Sequence, residues 1–228
     1  MPEPTYDGPL LDPAHPVKGL LVDWGGVLTG PLAPTIERWA SDHDGDLVAY
    51  FQVMDDWLGG KYAREARMNP VHALERGEME NPAFEEFLAH EMSLRSSRKF
   101  ESEGFLQRMF NYFEHSHDMN SLVHRAHRAG IKTALLSNSW GNEYPREGWD
   151  DMFDAVVISG EVGMRKPEER IYLHSMELLG LHANECVFVD DMQVNVDAAV
   201  SLGIVGVLHS SYEKTAADLE AIFNIALA

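Results

Sequence analysis

The stretch Lys18-Gly-Leu-Leu-Val-Asp-Trp-Gly-Gly-Val-Leu-Thr29 decides the fold. Leu20, Leu21 and Val22 make a short apolar run with no helical period, the pattern of a parallel strand buried on both faces. The run stops at a carboxylate, Asp23, followed by Trp24 and two glycines, Gly25 and Gly26. Ligands of open α/β sheets bind outside the carboxyl ends of the strands, and glycine lets backbone approach a ligand closely. A carboxylate held there can act as a nucleophile and a metal ligand. Its plain alternative is the cap of a turn.

Four further apolar runs follow, at residues 133–136, 156–158, 186–189 and 204–208. Segments of helical period separate them: Met119, Leu122, Val123 and Ala126 up to Gly130; Ile171, Ser175 and Leu178 up to Gly180; residues 194–202; and Leu219, Ile222, Phe223 and Ala226. Short strands alternating with helices predict an α/β fold with a doubly wound parallel sheet. From about Thr35 to Ser116 no strand-like run occurs. Trp39, the group Leu47, Tyr50, Phe51, Met54 and Leu58, then Leu74, Phe84, Phe87, Leu88, Phe105 and Met109 recur at spacings of three and four. These apolar stripes predict a helical subdomain inserted after the first strand. Residues 1–31 and 115–228 are therefore assigned to the α/β core and residues 32–114 to the insertion.

The chain carries 18 Lys and Arg against 37 Asp and Glu, a formal charge of −19. Such a surface repels phosphate backbones and anionic lipid, which argues against nucleic-acid and membrane partners. The one cysteine, Cys186, lies in an apolar run and allows no internal disulfide, which suits a reducing cytoplasm. Residues 1–16 are proline-rich and acidic, unlike a signal peptide, and are read as a loose arm. His124 and His127 stand three apart on a helix without a third ligand, so they are read as a solvated face.

Each strand end carries chemistry. The first gives Asp23; the second gives Ser137 and Asn138, with Trp140 beyond; the third is followed by Gly163-Met-Arg-Lys-Pro167; the fourth gives Asp190 and Asp191, with Asn195 and Asp197 in the next turn. Pro167 is expected in the first turn of the following helix. In a parallel sheet these ends share one edge, so Asp23, Ser137, Lys166 and Asp190 should converge. Carboxylates from two strands are the hard oxygen ligands that Mg²⁺ takes. Lys166 can neutralise a phosphoryl group, and Ser137 with nearby backbone N–H groups can bind its oxygens.

These motifs resemble those of the haloacid dehalogenase superfamily of hydrolases. Leu-Leu-Val-Asp-Trp-Gly-Gly-Val-Leu-Thr is similar to its first motif, Leu-Leu-Ser-Asn to its second, Gly-Met-Arg-Lys-Pro to its third and Val-Phe-Val-Asp-Asp to its fourth. Leu74-Glu-Arg-Gly-Glu-Met79 is similar to the subgroup related to the N-terminal domain of epoxide hydrolases. The resemblance implies a Rossmann-like core with a helical cap and a Mg²⁺-dependent phosphatase acting on a small phosphorylated metabolite. It implies that Asp23 attacks phosphorus to form an aspartyl-phosphate, and that Asp23, the Gly25 carbonyl and Asp190 or Asp191 hold Mg²⁺. Lys166 would steady the nucleophile and the phosphoryl charge, and Ser137 and Asn138 would bind phosphate. The motifs are nearly silent on the substrate and on oligomeric state.

One departure stands out. The superfamily's phosphatases usually carry a second aspartate two residues after the nucleophile, as general acid and then base; here that position is Gly25. Asp55, Asp56 and His72 of the insertion are candidate substitutes, or the substrate has a good leaving group such as an acyl or aryl phosphate. Three other readings stay open: a dehalogenase with Asp23 attacking carbon, a C–P bond hydrolase with Lys61 forming a Schiff base, and a binding or regulatory protein without fast turnover. Trp57, Tyr62 and Arg64 are the cap side chains expected to set specificity, the Gly59-Gly60 pair is expected to face the site, and Trp140 either lines the pocket or packs under the cap.

Overall fold

A computed structural model of the chain describes residues 16–43, 45–59, 69–141 and 144–227. Its strands are β1 (Gly19–Val22), β2 (Lys132–Ser137), β3 (Ala155–Ile158), β4 (Cys186–Asp190) and β5 (Val205–Leu208). All are parallel, in the order β3-β2-β1-β4-β5. The four downstream runs read from the sequence are strands, displaced by no more than one residue at either end. Connections from β1 run outward through β2 to β3; the chain then crosses back to β4 and continues outward to β5. The direction reverses between β1 and β4, the switch point at which open sheets bind ligands.

Between β1 and β2 come α1 (Leu32–Asp42), α2 (Leu47–Met54), a π-helical turn (Asp55–Gly59), α3 (Pro70–Glu75), α4 (Asn81–Arg95), α5 (Phe105–Phe110) and α6 (His117–Arg128). Then follow the short α7 (Ser159–Val162), α8 (Glu169–Leu179), α9 (Gln193–Ser201) and α10 (Tyr212–Phe223).

Side-chain alternation along β1 explains the layers. Leu20 and Val22 pack on one face with residues of α6 and α10, whereas Leu21 packs on the other with Phe188 and residues of α8 and α9. Burying each such aliphatic side chain stabilises the fold by about 2 kcal/mol. Ile36, Trp39, Trp57, Phe84, Leu88 and Met109 belong to a third cluster made by the helices inserted after β1. The chain leaves the sheet layer and re-enters it at one place: Thr29 and His115 form an antiparallel bridge, with Gly30 N–H donating to Glu114 O and Ser116 N–H to Leu28 O, both at 2.9 Å.

Several local expectations are corrected. Pro167 is not in the first turn of a helix: α8 begins at Glu169 with Glu168 as N-cap, and the Lys166–Pro167 peptide is cis. Phe51 and Leu58 face outward, at 43% and 44% exposure; for Leu58 the reason is that the π-helical turn rotates the stripe after Met54. Trp57 is buried, stacked on Phe87 at 5.3 Å and edge-on to Phe84 at 5.7 Å, so it is core and does not face a substrate. Tyr62, Arg64, Lys61 and Gly60 lie outside the described residues, as does nearly all of the N-terminal arm.

Candidate active site

Asp23 follows β1 directly, its N–H donating to Val189 O of β4 at 2.9 Å. The carboxylate is held by two donors on one oxygen: the Trp24 N–H and the Lys166 ammonium both lie 2.7 Å from Oδ1. Oδ2 takes part in neither contact. Lys166 is 1% exposed and also donates to Asp190 Oδ2 at 2.7 Å, so a single buried cation bridges β1 and β4. Its ammonium also lies 5.5 Å from the centre of the Phe188 ring.

Asp190 ends β4 with both oxygens engaged. Oδ1 accepts the Met192 N–H at 2.8 Å, and the Asn195 amide reaches both oxygens at 3.1 Å. Asp191 is exposed and turns toward the glycine loop. Gly26 has φ of +77°, and a Cβ there would lie 2.3 Å from Asp191 Oδ2, so only glycine admits this approach. One oxygen each from Asp23, Asp190 and Asp191 falls within 4.8 Å of the others.

Electrostatics follow from this crowding. Burial pushes the Asp23 carboxyl up to about 7, with Asp190 and Asp191 adding to the rise and Lys166 opposing it. Burial alone would lower the Lys166 ammonium, but its two carboxylate partners more than reverse that and hold it charged. Burial and Asp190 also raise Asp191. Three carboxylates thus surround one ammonium, with Asp23 and Asp190 withdrawn from water and Asp191 exposed. The excess of negative charge and the all-oxygen donor set fit a hard divalent cation such as Mg²⁺.

Ser137 closes β2 and is buried, with its hydroxyl 2.9 Å from the Tyr144 hydroxyl. Asn138 has a different engagement from that expected. Its amide donates to Lys166 O at 3.1 Å and its carbonyl oxygen accepts the Lys166 N–H at 2.8 Å. The side chain therefore clamps the backbone that carries Lys166.

The inserted helices sit over this edge through polar contacts. Buried Glu75 pairs with Arg165 and accepts the Trp140 indole N–H at 3.2 Å. Arg76 reaches Glu168 at 3.3 Å, and Asn81 donates to Gly141 O at 2.8 Å. Gly77, with φ of +68°, lets the turn after α3 close on Gly160, whose carbonyl oxygen would lie 2.6 Å from any Cβ. Trp140 thus packs under the helices, edge-on to Phe84. Of the candidate substitute acids, Asp56 is exposed and tied to Arg95 at 2.6 Å, and Asp55 is exposed. His72 is pushed down to about 4 by burial and by Arg165 and Arg76, so it carries no proton to donate near neutral pH. Nothing stands at Gly25: a Cβ there would meet no atom within 4 Å. His127 bonds Thr133 Oγ1 and pairs with Asp154 at 3.3 Å, so it is tied to the sheet layer.

Asn195 and Tyr144 are the site residues that sequence patterns did not single out for a role. Asn195 had a signal, being a buried amide one turn past the acidic pair; Tyr144 had none.

Comparisons with known proteins bear on the fold and the family. The family model for haloacid dehalogenase-like hydrolases matches residues 7–203. Among curated relatives, Bifunctional epoxide hydrolase 2 of Sus scrofa is 27% identical over 108 residues, covering 44% of this chain and 20% of that protein. A sesquiterpene phosphatase of Aspergillus oryzae is 34% identical over 93 residues, covering 39% of this chain and 47% of that one. The matched region is thus a fifth of the first and about half of the second. A haloacid dehalogenase family enzyme of Bacteroides thetaiotaomicron, crystallised with magnesium and inorganic phosphate, superimposes with a TM-score of 0.57 at 21% identity, covering 85% of this chain and 94% of that one. By the extent of the family match and the sheet that carries it, the chain belongs to the haloacid dehalogenase-like hydrolases.

Proposed function

We propose that this hydrolase is a phosphatase that removes phosphate from a small phosphorylated metabolite through an aspartyl-phosphate on Asp23. The observation that carries the reading is the buried Lys166 shared between Asp23 and Asp190 at 2.7 Å each, beside a third carboxylate on Asp191. The relatives' phosphatase name and the magnesium and phosphate in the Bacteroides enzyme support it. Asp23, the Gly25 carbonyl and Asp190 or Asp191 are the groups that would hold Mg²⁺. When bound, the ion supplies positive charge that offsets the charge building on the transferring group.

The chain's own groups do the rest. Trp24 N–H and Lys166 pin Oδ1 of Asp23, which leaves Oδ2 to attack phosphorus. An O–P bond forms to Asp23 while the P–O bond to the leaving group breaks, its electron pair departing with the leaving oxygen. Lys166 and the Ser137 hydroxyl face the phosphoryl oxygens. Water then attacks phosphorus, the bond to Asp23 breaks with its electron pair returning to the carboxylate, and inorganic phosphate is released carrying the protons of the water. Asn138 and Asn195 hold Lys166 and Asp190 in place for both steps. Residues 32–114 act as the cap that excludes water, and residues 1–31 and 115–228 form the catalytic core. The single thiol fits a reducing cytoplasm; among the described residues no helix is long and apolar enough to cross a membrane.

Gly25 favours one second reading, a binding protein of this fold without turnover. The two separate on one experiment. Phosphate release from 4-nitrophenyl phosphate is expected with Mg²⁺, absent with EDTA and lost in Asp23→Asn. Ligand binding without release, or release that survives Asp23→Asn, overturns the phosphatase reading.

A further inference from the structure

Trp24, the residue after the nucleophile, helps to line a cavity of about 340 Å³ together with Phe110, Phe113 and Tyr144 and with Gln107, Asn111, His115 and Pro145. Two of its walls are tied to the reacting groups. The Trp24 N–H is bonded to the Asp23 carboxylate at 2.7 Å, and the Tyr144 hydroxyl lies 2.9 Å from Ser137 Oγ. The rings already contact one another. Trp24 stacks on Phe113 at 6.2 Å, Tyr144 stands edge-on to Trp24 at 5.1 Å, and Phe110 tilts against Phe113 at 5.4 Å. Phe110 and its polar neighbours come from α5 of the inserted helices, whereas Trp24 and Tyr144 come from the sheet edge, so the cavity is shared between the two layers.

The walls have a chemical signature. Among the described residues, none lining this cavity is Asp, Glu, Lys or Arg, although the chain has a formal charge of −19. The neighbouring larger cavity, of about 590 Å³, is lined instead by Glu80, Arg146 and Glu161 together with Met79 and Asn81. Gln107, Asn111 and His115 offer polar contacts on part of the lining, but four of the eight lining residues are Trp, Phe or Tyr, so much of a sugar or nucleotide would face rings instead of hydrogen-bond partners. A flat aromatic group loses nothing there and gains offset-stacked and edge-on contacts. The volume is within the range of small-molecule sites.

The geometry points to an aryl phosphate as the substrate class, with the ring of the leaving group seated among Trp24, Phe110, Phe113 and Tyr144. This deepens the phosphatase reading and rests on it. It also joins two otherwise separate features. An aryloxide leaves readily without a proton donor, and Gly25 supplies none. In the first step the P–O bond to the ring oxygen breaks as the Asp23 O–P bond forms, and the aryloxide departs with the electron pair and takes its proton from water.

The test compares, on the wild-type protein with Mg²⁺, an aryl phosphate and a fluoroalkyl phosphate whose leaving groups have matched acidity. Matched acidity removes the chemical advantage of the ring, so any preference reports the cavity. An aryl preference of about tenfold or more in kcat/KM is expected, the size that apolar contacts in a pocket supply. In Phe110→Ala that ratio should fall by about tenfold, with Phe110→Leu, which keeps the packing volume closer, giving a smaller fall. Equal kcat/KM for the matched pair, with Mg²⁺-dependent release intact, overturns the aryl assignment and leaves the phosphatase reading standing. A ratio that moves in Met79→Ala and not in Phe110→Ala places the leaving group in the larger cavity and likewise overturns it. No phosphate release from either ester overturns both.

Discussion

Replacing Gly25 by aspartate should restore a catalytic group that this chain lacks. The perturbation is sterically free: a Cβ at position 25 meets nothing within 4 Å, and Gly25 is not among the glycines with positive φ. A carboxyl two residues beyond Asp23 can protonate the leaving oxygen and, having lost that proton, can take one from the attacking water. General acid–base assistance is typically worth about 10²–10⁴-fold, or roughly 3–5 kcal/mol of barrier. The two steps report differently. kcat/KM reads the first step, in which an alkoxide needs a proton and an acidic phenol does not. In Gly25→Asp, kcat/KM for alkyl phosphates should therefore rise about 10²-fold or more, while that for 4-nitrophenyl phosphate changes little. The wild type should show a steep dependence on leaving-group acidity and the variant a shallow one. Where hydrolysis of the aspartyl-phosphate limits turnover, kcat should rise for every ester. The assay is phosphate release across phosphate esters of graded leaving-group acidity. A change in kcat/KM of the same factor for all esters, or a shallow wild-type dependence, would refute the reasoning, because an acid would then already be present elsewhere.

Other consequences are open to measurement. Arg165→Met leaves Glu75 buried without its cation, which should cost about 3 kcal/mol and lower Tm by roughly 10 °C; adding Glu75→Gln should recover much of it, and full additivity of the two changes in thermal melts would deny the pairing. His72 is held well below its ordinary 6.5, at about 4, by burial, so the unfolded chain takes up the proton first as pH falls. Folding stability should decline from about pH 6.5 toward 4, and urea midpoints of His72→Gln should fall less over that window. Asp46 caps α2, its carboxylate accepting the Ala49 N–H at 3.0 Å, which keeps its carboxyl below the usual range. Asp46→Ala should cost about 1 kcal/mol in denaturant titration; no change in midpoint would count against the cap.

Local chemistry makes much of the core readable. Apolar runs of three to five residues between helical stripes have one stable arrangement, a parallel sheet covered on both faces, and strand ends then fall on one edge. That is why the order of runs along the chain suffices to bring Asp23, Lys166 and Asp190 together and to end β2 at Ser137 on the same edge. Trp57 departs from its expected place for a physical reason: period alone says which face of a helix is apolar, and the π-helical turn at residues 55–59 shifts that face. Pro167 departs because its fixed φ suits a helix start and a preceding loop equally.

What the sequence alone determined is the fold class, the family and the gap at Gly25, since these depend on residue type and spacing along the chain. Tertiary structure decided the division of labour: Asp190 saturated and buried, Asp191 exposed toward Gly26, Asn138 clamping Lys166, and Trp24, Phe110, Phe113 and Tyr144 enclosing one cavity. Those roles depend on which atoms remain unsatisfied once distant segments meet, and no one-dimensional pattern records that.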